Sequence, residues 1–248
     1  MKLIGHRGAR GEAPENTLSG FRYLRELGVH AVELDIQVSA DGELVVIHDG
    51  FLERSTLASG QVSTYTAAQL QTVDASHRAF PDWPETDSVP TLRAVMEVLR
   101  DFEHIQFEVK ARSEEDSRLV AEKFPPLWRE FGFGERAFST SFNPRYLQLL
   151  KDSAPEIPRG FLFEKDFAGD AIASALALGC RSIGPHQERC TRALIESAHA
   201  SGLQVSTWTV NTAARMRELA RDGADSLITD LPSLALSEAA DLFDRQYP

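Results

Sequence analysis

A chain of 248 residues, 42% hydrophobic and 25% charged, can bury one large α/β core and contains no low-complexity stretch. Its formal net charge of −11 argues against a nucleic-acid partner held by bulk electrostatics, but not against an anionic small molecule in a locally cationic cleft. Two cysteines, Cys180 and Cys190, are too few for a disulfide scaffold and are expected to be free thiols.

The first apolar run, Lys2 to Gly5, reads as a strand ending in His6-Arg7-Gly8. No apolar leader region accompanies it and no later run reaches the length of a membrane span, so a cytoplasmic location without stable membrane association is expected. Pro14-Glu15-Asn16-Thr17 opens an amphipathic helix, Leu18 to Leu27, that Gly28 stops. A second strand, His30 to Ile36, carries Glu33 and Asp35. Asp41-Gly42 then turns the chain into a hairpin strand, Glu43 to Ile47, that ends in His48-Asp49. Residues from about 50 to 90 are irregular, with one short helical segment at Ala67–Leu70 and an aromatic turn at Phe80–Pro84. This stretch reads as an insertion after the second strand within a single domain spanning residues 1–248.

From Thr91 the pattern alternates. Helix Leu92–Arg100 precedes strand Ile105–Lys110, helix Glu114–Phe131 precedes strand Ala137–Ser141, and helix Pro144–Lys151 precedes strand Arg159–Phe163. Helix Gly169–Leu178, strand Arg181–Gly184, helix Thr191–Ser201 and strand Gln204–Thr209 follow. Helix Thr212–Asp222, strand Ser226–Thr229 and a last helix over Leu234–Phe243 complete the series. About eight such units predict a closed (β/α)8 TIM barrel, with a doubly wound open sheet as the alternative. A barrel places its site at the C-terminal ends of its strands. His6, Arg7, Asp35, His48, Lys110, Ser141, Trp208 and Asp230 all fall at or just beyond such ends.

Residues at i and i+2 of a strand share a face, so Glu33 pairs with Asp35 and Glu108 with Lys110. Three carboxylates converging on an apolar scaffold repel one another unless a cation joins them, and hard oxygen ligands suit Mg²⁺ or Ca²⁺. His6 and His48 end strands beside this cluster, where imidazoles can exchange protons near neutrality. Arg7 offers a planar guanidinium to a phosphate, and Trp208 an aromatic face to a substrate's carbons. His30, His77, His104, His186 and His199 read as structural. Phe51, Phe80 and Trp83 either line a leaving-group pocket or pack the insertion. Glu15 and Asn16 read as helix-start anchors, with a supporting role for Glu15 left open.

The ordered set His6-Arg7-Gly8, Pro14-Glu15-Asn16-Thr17, Glu33-Leu34-Asp35, Val46-Ile47-His48-Asp49, Pro90-Thr91-Leu92, Glu108-Val109-Lys110, Ser141-Phe142, Trp208-Thr209-Val210-Asn211 and Thr229-Asp230-Leu231-Pro232 resembles the glycerophosphodiester phosphodiesterase family, in its short cytosolic bacterial form. The resemblance implies a TIM barrel with a small insertion and hydrolysis of glycerophosphodiesters to sn-glycerol 3-phosphate and an alcohol, with one divalent cation. On that likeness Glu33, Asp35 and Glu108 match the metal ligands, and His6 and His48 the acid–base pair. Arg7, Lys110 and Trp208 match substrate-binding positions. Leu52 to Gly60 departs from the family's glycine-rich continuation, which leaves the headgroup open.

We read His6 as base and His48 as acid. The attacking oxygen, water or the glycerol 2-hydroxyl through a cyclic phosphate, is left open, as are the choice of ion and the oligomeric state. Two rivals are a phospholipase D-like lyase forming a cyclic phosphate from lysophospholipids, and a non-enzymatic metal- or phosphate-binding barrel. Against the first stands the lack of cysteine-paired loops and of an apolar docking stretch. Against the second, no histidine or carboxylate of the set is missing.

Overall fold

In the computed structural model, residues 1–243 are described; positions 244–248 of the expected domain lie outside the described residues. Strand β1 (Lys2–His6) is followed by α1 (Leu18–Glu26), β2 (Ala31–Val38) and β3 (Leu44–Val46). Next come a short 3-10 turn, the one-turn α2 (Ala67–Leu70), α3 (Leu92–Val98), β4 (His104–Val109) and α4 (Glu114–Phe131). The series continues with β5 (Ala137–Ser141), α5 (Pro144–Ser153), β6 (Arg159–Phe163), α6 (Ala171–Ala177) and β7 (Ser182–Pro185). It ends with α7 (Arg192–Ala200), β8 (Gln204–Thr207), α8 (Ala213–Asp222), β9 (Ser226–Thr229) and α9 (Pro232–Glu238).

The sheet runs β1-β9-β8-β7-β6-β5-β4-β2, and β1 also pairs with β2, so eight parallel strands close into a (β/α)8 barrel. Among the described strands only β3 stands outside it, antiparallel on β2 with Ile36 opposite Val46. Closure removes every free edge from the parallel sheet. Helices wrap it, and their apolar faces bury Phe21, Leu24, Met96, Phe124, Leu147 and Met216 against the strands. Among the described residues no helix is long and apolar enough to cross a membrane.

The N-caps follow from small polar residues. Thr17, Thr91, Ser113, Asn143, Asp170, Thr191 and Thr212 each accept a first-turn backbone N–H. The last helix starts at Pro232, two residues before the expected Leu234, because proline suits the first helical turn. It gives way at Ala239 to a 3-10 turn, Ala240–Leu242, rather than continuing to Phe243. Cys180 and Cys190 are buried free thiols, and burial pushes them up to about 12 and about 11.

Between β3 and α3 the chain packs a small apolar cluster of its own, with Ile47, Leu52, Val62, Leu70 and Val89. Trp83 Nε1 donates to Ser19 Oγ at 2.8 Å and the ring meets Tyr23 edge-on, which fixes this segment to α1. Trp83 and Phe80 are therefore packing residues, whereas Phe51 remains 51% exposed.

Candidate active site

Strand register assembles the charged cluster. His6 of β1 lies opposite Glu33 of β2, and Asp35 of β2 opposite Glu108 of β4. The i, i+2 repeat turns Glu33, Asp35 and Glu108 inward at the C-terminal end of the barrel. One carboxylate oxygen from each lies within 4.8 Å of the others. His6, Arg7, Glu33, His48, Glu108, Lys110 and Trp208 line one cavity of about 190 Å³. Asp35 has no exposed surface and sits beneath it.

Buried charge of this density must be compensated. Asp35 Oδ2 accepts from Asn16 Nδ2 at 2.8 Å and faces Arg7 Nε at 3.1 Å, while its Oδ1 faces Lys110 Nζ at 3.3 Å. The Lys110 ammonium also contacts Glu108 directly. Burial opposes the ionisation of Asp35, but Lys110 and Arg7 overcome it and hold the carboxyl well below the usual range. Glu33 differs. Its Oε2 accepts from the Arg7 backbone N–H at 3.2 Å, and its Oε1 has no hydrogen-bond partner among the described residues. Burial, then repulsion from Asp35 and Glu108, raises Glu33 well above the ordinary carboxyl value. Burial also raises Glu108, against the pull of Lys110. Three close carboxylates form an all-oxygen donor set that fits a hard divalent cation; among the described residues Asp35 Oδ1 and Glu108 Oε1 meet only the Lys110 ammonium, and Glu33 Oε1 has neither a hydrogen bond nor an ion pair.

The two histidines are held differently. His6 Nδ1 lies 2.5 Å from Asp230 Oδ1, and His6 Nε2 lies 3.8 Å from Glu33. Asn211 holds Asp230 in turn: its Nδ2 donates to Asp230 Oδ2 at 2.9 Å, and its Oδ1 accepts from the Asp230 backbone N–H at 2.9 Å. Burial favours neutral His6, and Asp230 opposes this only in part. His48 Nδ1 lies 2.6 Å from Asp49 Oδ1, but Asp49 is shared with the Arg54 guanidinium. Burial pushes His48 down to about 4.

Arg7 and Asn16 have left-handed backbones, with φ of 54° and 57°. Such strain in non-glycine residues persists only where surrounding contacts impose it. Here the contacts are with Asp35, and with Glu15, to which Arg7 Nη1 donates at 3.1 Å. Glu15 also meets Arg10 at 3.3 Å and receives both Nη groups of Arg54 at 2.7 Å. Glu15 is thus an arginine hub, Asn16 a partner of Asp35, and Thr17 alone the helix cap.

Trp208 follows β8 and lines the cavity. Its Nε1 donates to the Gly184 carbonyl at 2.9 Å, and Phe142 and His186 meet its ring edge-on. Arg10, Thr140, Phe142 and Glu164 also line the cavity, and Asp230 is the partner of His6, roles that the sequence pattern does not assign to them. Thr140 Oγ1 is buried without a hydrogen-bond partner among the described residues.

The family model of the glycerophosphoryl diester phosphodiesterases matches residues 6–234. The chain belongs to this family. A glycerophosphodiester phosphodiesterase from Caldanaerobacter subterraneus subsp. tengcongensis is 31% identical over 241 residues, covering 95% of this chain and 96% of that protein. A phosphodiesterase from Oleispira antarctica, solved in complex with the product sn-glycerol-3-phosphate, aligns with a TM-score of 0.89 at 26% identity, covering 97% of each chain. Glycerophosphodiester phosphodiesterase from Agrobacterium tumefaciens str. C58 aligns with a TM-score of 0.82 at 29% identity, over 96% of this chain and 99% of that one. The protein is accordingly a glycerophosphodiester phosphodiesterase, a phosphoric diester hydrolase.

Proposed function

We propose that the enzyme hydrolyses small glycerophosphodiesters to sn-glycerol 3-phosphate and an alcohol, using a divalent cation and two histidines. The observation that carries this reading is the convergence of Glu33, Asp35 and Glu108 at the base of the cavity that His6 and His48 line. Mg²⁺ or Ca²⁺ held by the three carboxylates would offset negative charge on the nonbridging phosphoryl oxygens. The Arg7 guanidinium and the Lys110 ammonium bring further positive charge to the phosphate. Trp208 and Phe142 present apolar faces to the glycerol carbons.

The proton inventory balances across the two imidazoles. His6, with Nδ1 on Asp230, presents Nε2 to the cavity and removes the proton of the attacking oxygen as that oxygen bonds to phosphorus. Asp230 then stabilises the imidazolium formed. As the bond from phosphorus to the headgroup oxygen breaks, His48 gives its proton to the departing alkoxide. His48 lies low, at about 4, without substrate. An anionic diester beside it favours the protonated form, so binding itself loads the acid.

Positioned acid–base groups are each worth about 10²–10⁴-fold. His6→Ala and His48→Ala should both lose rate on that scale. A p-nitrophenyl leaving group needs little protonation, so it should partly rescue His48→Ala and leave His6→Ala slow. Rescue of His6→Ala alone, or of both equally, would reverse or remove these roles.

A further inference from the structure

A second cavity, of about 320 Å³, adjoins the catalytic one, and Lys110 lines both. Its volume is at the lower end of those that hold small molecules. Gly50 and Phe51, which follow the His48-Asp49 pair, form one wall; Ala111, Arg112 and Ser113, which follow Lys110, form another. Three charged groups line it. Lys110 is committed to Glu108 and Asp35. The Asp116 carboxylate accepts the backbone N–H groups of Arg112 and Ser113, both at 3.1 Å, as the capping-box partner of Ser113 at the start of α4. The third is the Arg112 guanidinium, which has no ion-pair or hydrogen-bond partner among the described residues. It lies flat against Gly50: a Cβ added there would stand 1.9 Å from Arg112 Nη1 and 2.2 Å from Cζ. Elsewhere around the mouth, each cation is paired: Arg7 and Arg54 with Glu15, and Arg10 with Glu15 and Asp230.

We propose that this second cavity receives the alcohol half of the substrate, and that Arg112 selects diesters whose alcohol carries an anionic group. The proposal rests on the reading of His48 as the acid, which puts the leaving oxygen beside His48 and the rest of the leaving group along the His48–Phe51 segment. Phe51 covers the carbons of that group, and Arg112 pairs with its carboxylate or phosphate, for which a guanidinium offers parallel N–H donors. A cationic choline headgroup gains nothing from Arg112.

Glycerophosphoserine and glycerophosphoethanolamine differ by one carboxylate, so comparing them isolates this contact. kcat/KM should favour glycerophosphoserine by about tenfold, the scale of one hydrogen bond to a charged group. In Arg112→Gln the preference should fall to within about twofold, through loss on glycerophosphoserine alone. Gly50→Ala, which displaces the guanidinium without removing it, should give a partial loss. Equal use of the two diesters by the wild type, or a serine preference that survives Arg112→Gln, overturns the proposal. Calorimetric binding of both diesters to His6→Ala protein reads the same difference without turnover. There, tighter binding of the serine diester that depends on Arg112 supports the subsite even if the assigned chemistry fails. Equal binding there sinks the subsite and leaves the chemistry standing.

Discussion

Two ends of the barrel interior meet on strand β4. His104, Gln106 and Glu108 share its inward face, and all are buried. At the lower end the polar groups are neutral and bonded to one another: Gln106 Nε2 donates to His104 Nε2 at 3.0 Å and to Ser206 Oγ at 2.9 Å. Burial pushes His104 down to about 3, so it stays uncharged. Two residues further on, Glu108 belongs to a set of three crowded carboxylates, in which Glu33 Oε1 has no hydrogen-bond partner among the described residues. The lower layer has the composition of a stable interior. The upper layer keeps like charges together at a cost in stability, a cost that the proposed binding of a cation and a phosphate would account for.

The sharpest way to break this contrast is Glu33→Gln. The change keeps the shape and the Arg7 N–H contact but removes a buried charge that its neighbours repel. Activity should fall about 10³-fold, while Tm of the metal-free protein should rise by a few degrees. Thermal scans and initial rates on the same preparation check both; a variant that is less stable and equally active would contradict the contrast. Asp230→Asn is next. It leaves His6 Nδ1 facing an amide that can donate, which disturbs the tautomer, and should cost about 10²-fold in kcat. Nitrogen-15 NMR of labelled histidine should show wild-type His6 protonated at Nδ1 and the variant as a mixture.

Asp230 also sets a pH limb. Burial disfavours its charge, yet His6 and Asn211 hold its carboxyl at about 2, below the ordinary 3.8. A lowered folded value stabilises the fold above the unfolded value, and the contribution is lost as pH falls through the folded one. About 2 kcal/mol should therefore disappear between pH ~4 and ~2. Denaturant titrations across that window should show a flatter limb in Asp230→Asn. The smallest effect belongs to the lower end: Ser206→Ala removes one neutral hydrogen bond and should cost about 1 kcal/mol, with kcat nearly unchanged.

The features read from the sequence were those that strand geometry fixes locally. The two i, i+2 pairs on β2 and β4 need only a period of two, and the position of His48 needs only the end of a hairpin. The barrel itself followed from the repeat of units. What escaped depends on closure or on unusual backbone. Asp230 lies 224 residues from His6 and meets it only because β9 pairs with β1. Arg54 reaches Glu15 across 39 residues, from a segment without regular periodicity. Asn16 looked like part of a helix start, but its left-handed backbone turns the side chain to Asp35 while Thr17 does the capping. The cavity-lining residues Arg10, Thr140 and Glu164 carry no motif spacing of their own.

In the proposed chemistry the three buried carboxylates, Glu33, Asp35 and Glu108, hold a divalent cation essential for cleaving a glycerophosphodiester. Phosphorus NMR of glycerophosphocholine with the enzyme tests it most directly, run with Mg²⁺ or Ca²⁺ and again after exhaustive chelation. The diester resonance should give way to that of glycerol 3-phosphate only when the ion is present, and re-adding the ion should restore the conversion. Full conversion in the chelated sample, or no conversion with either ion, would contradict it.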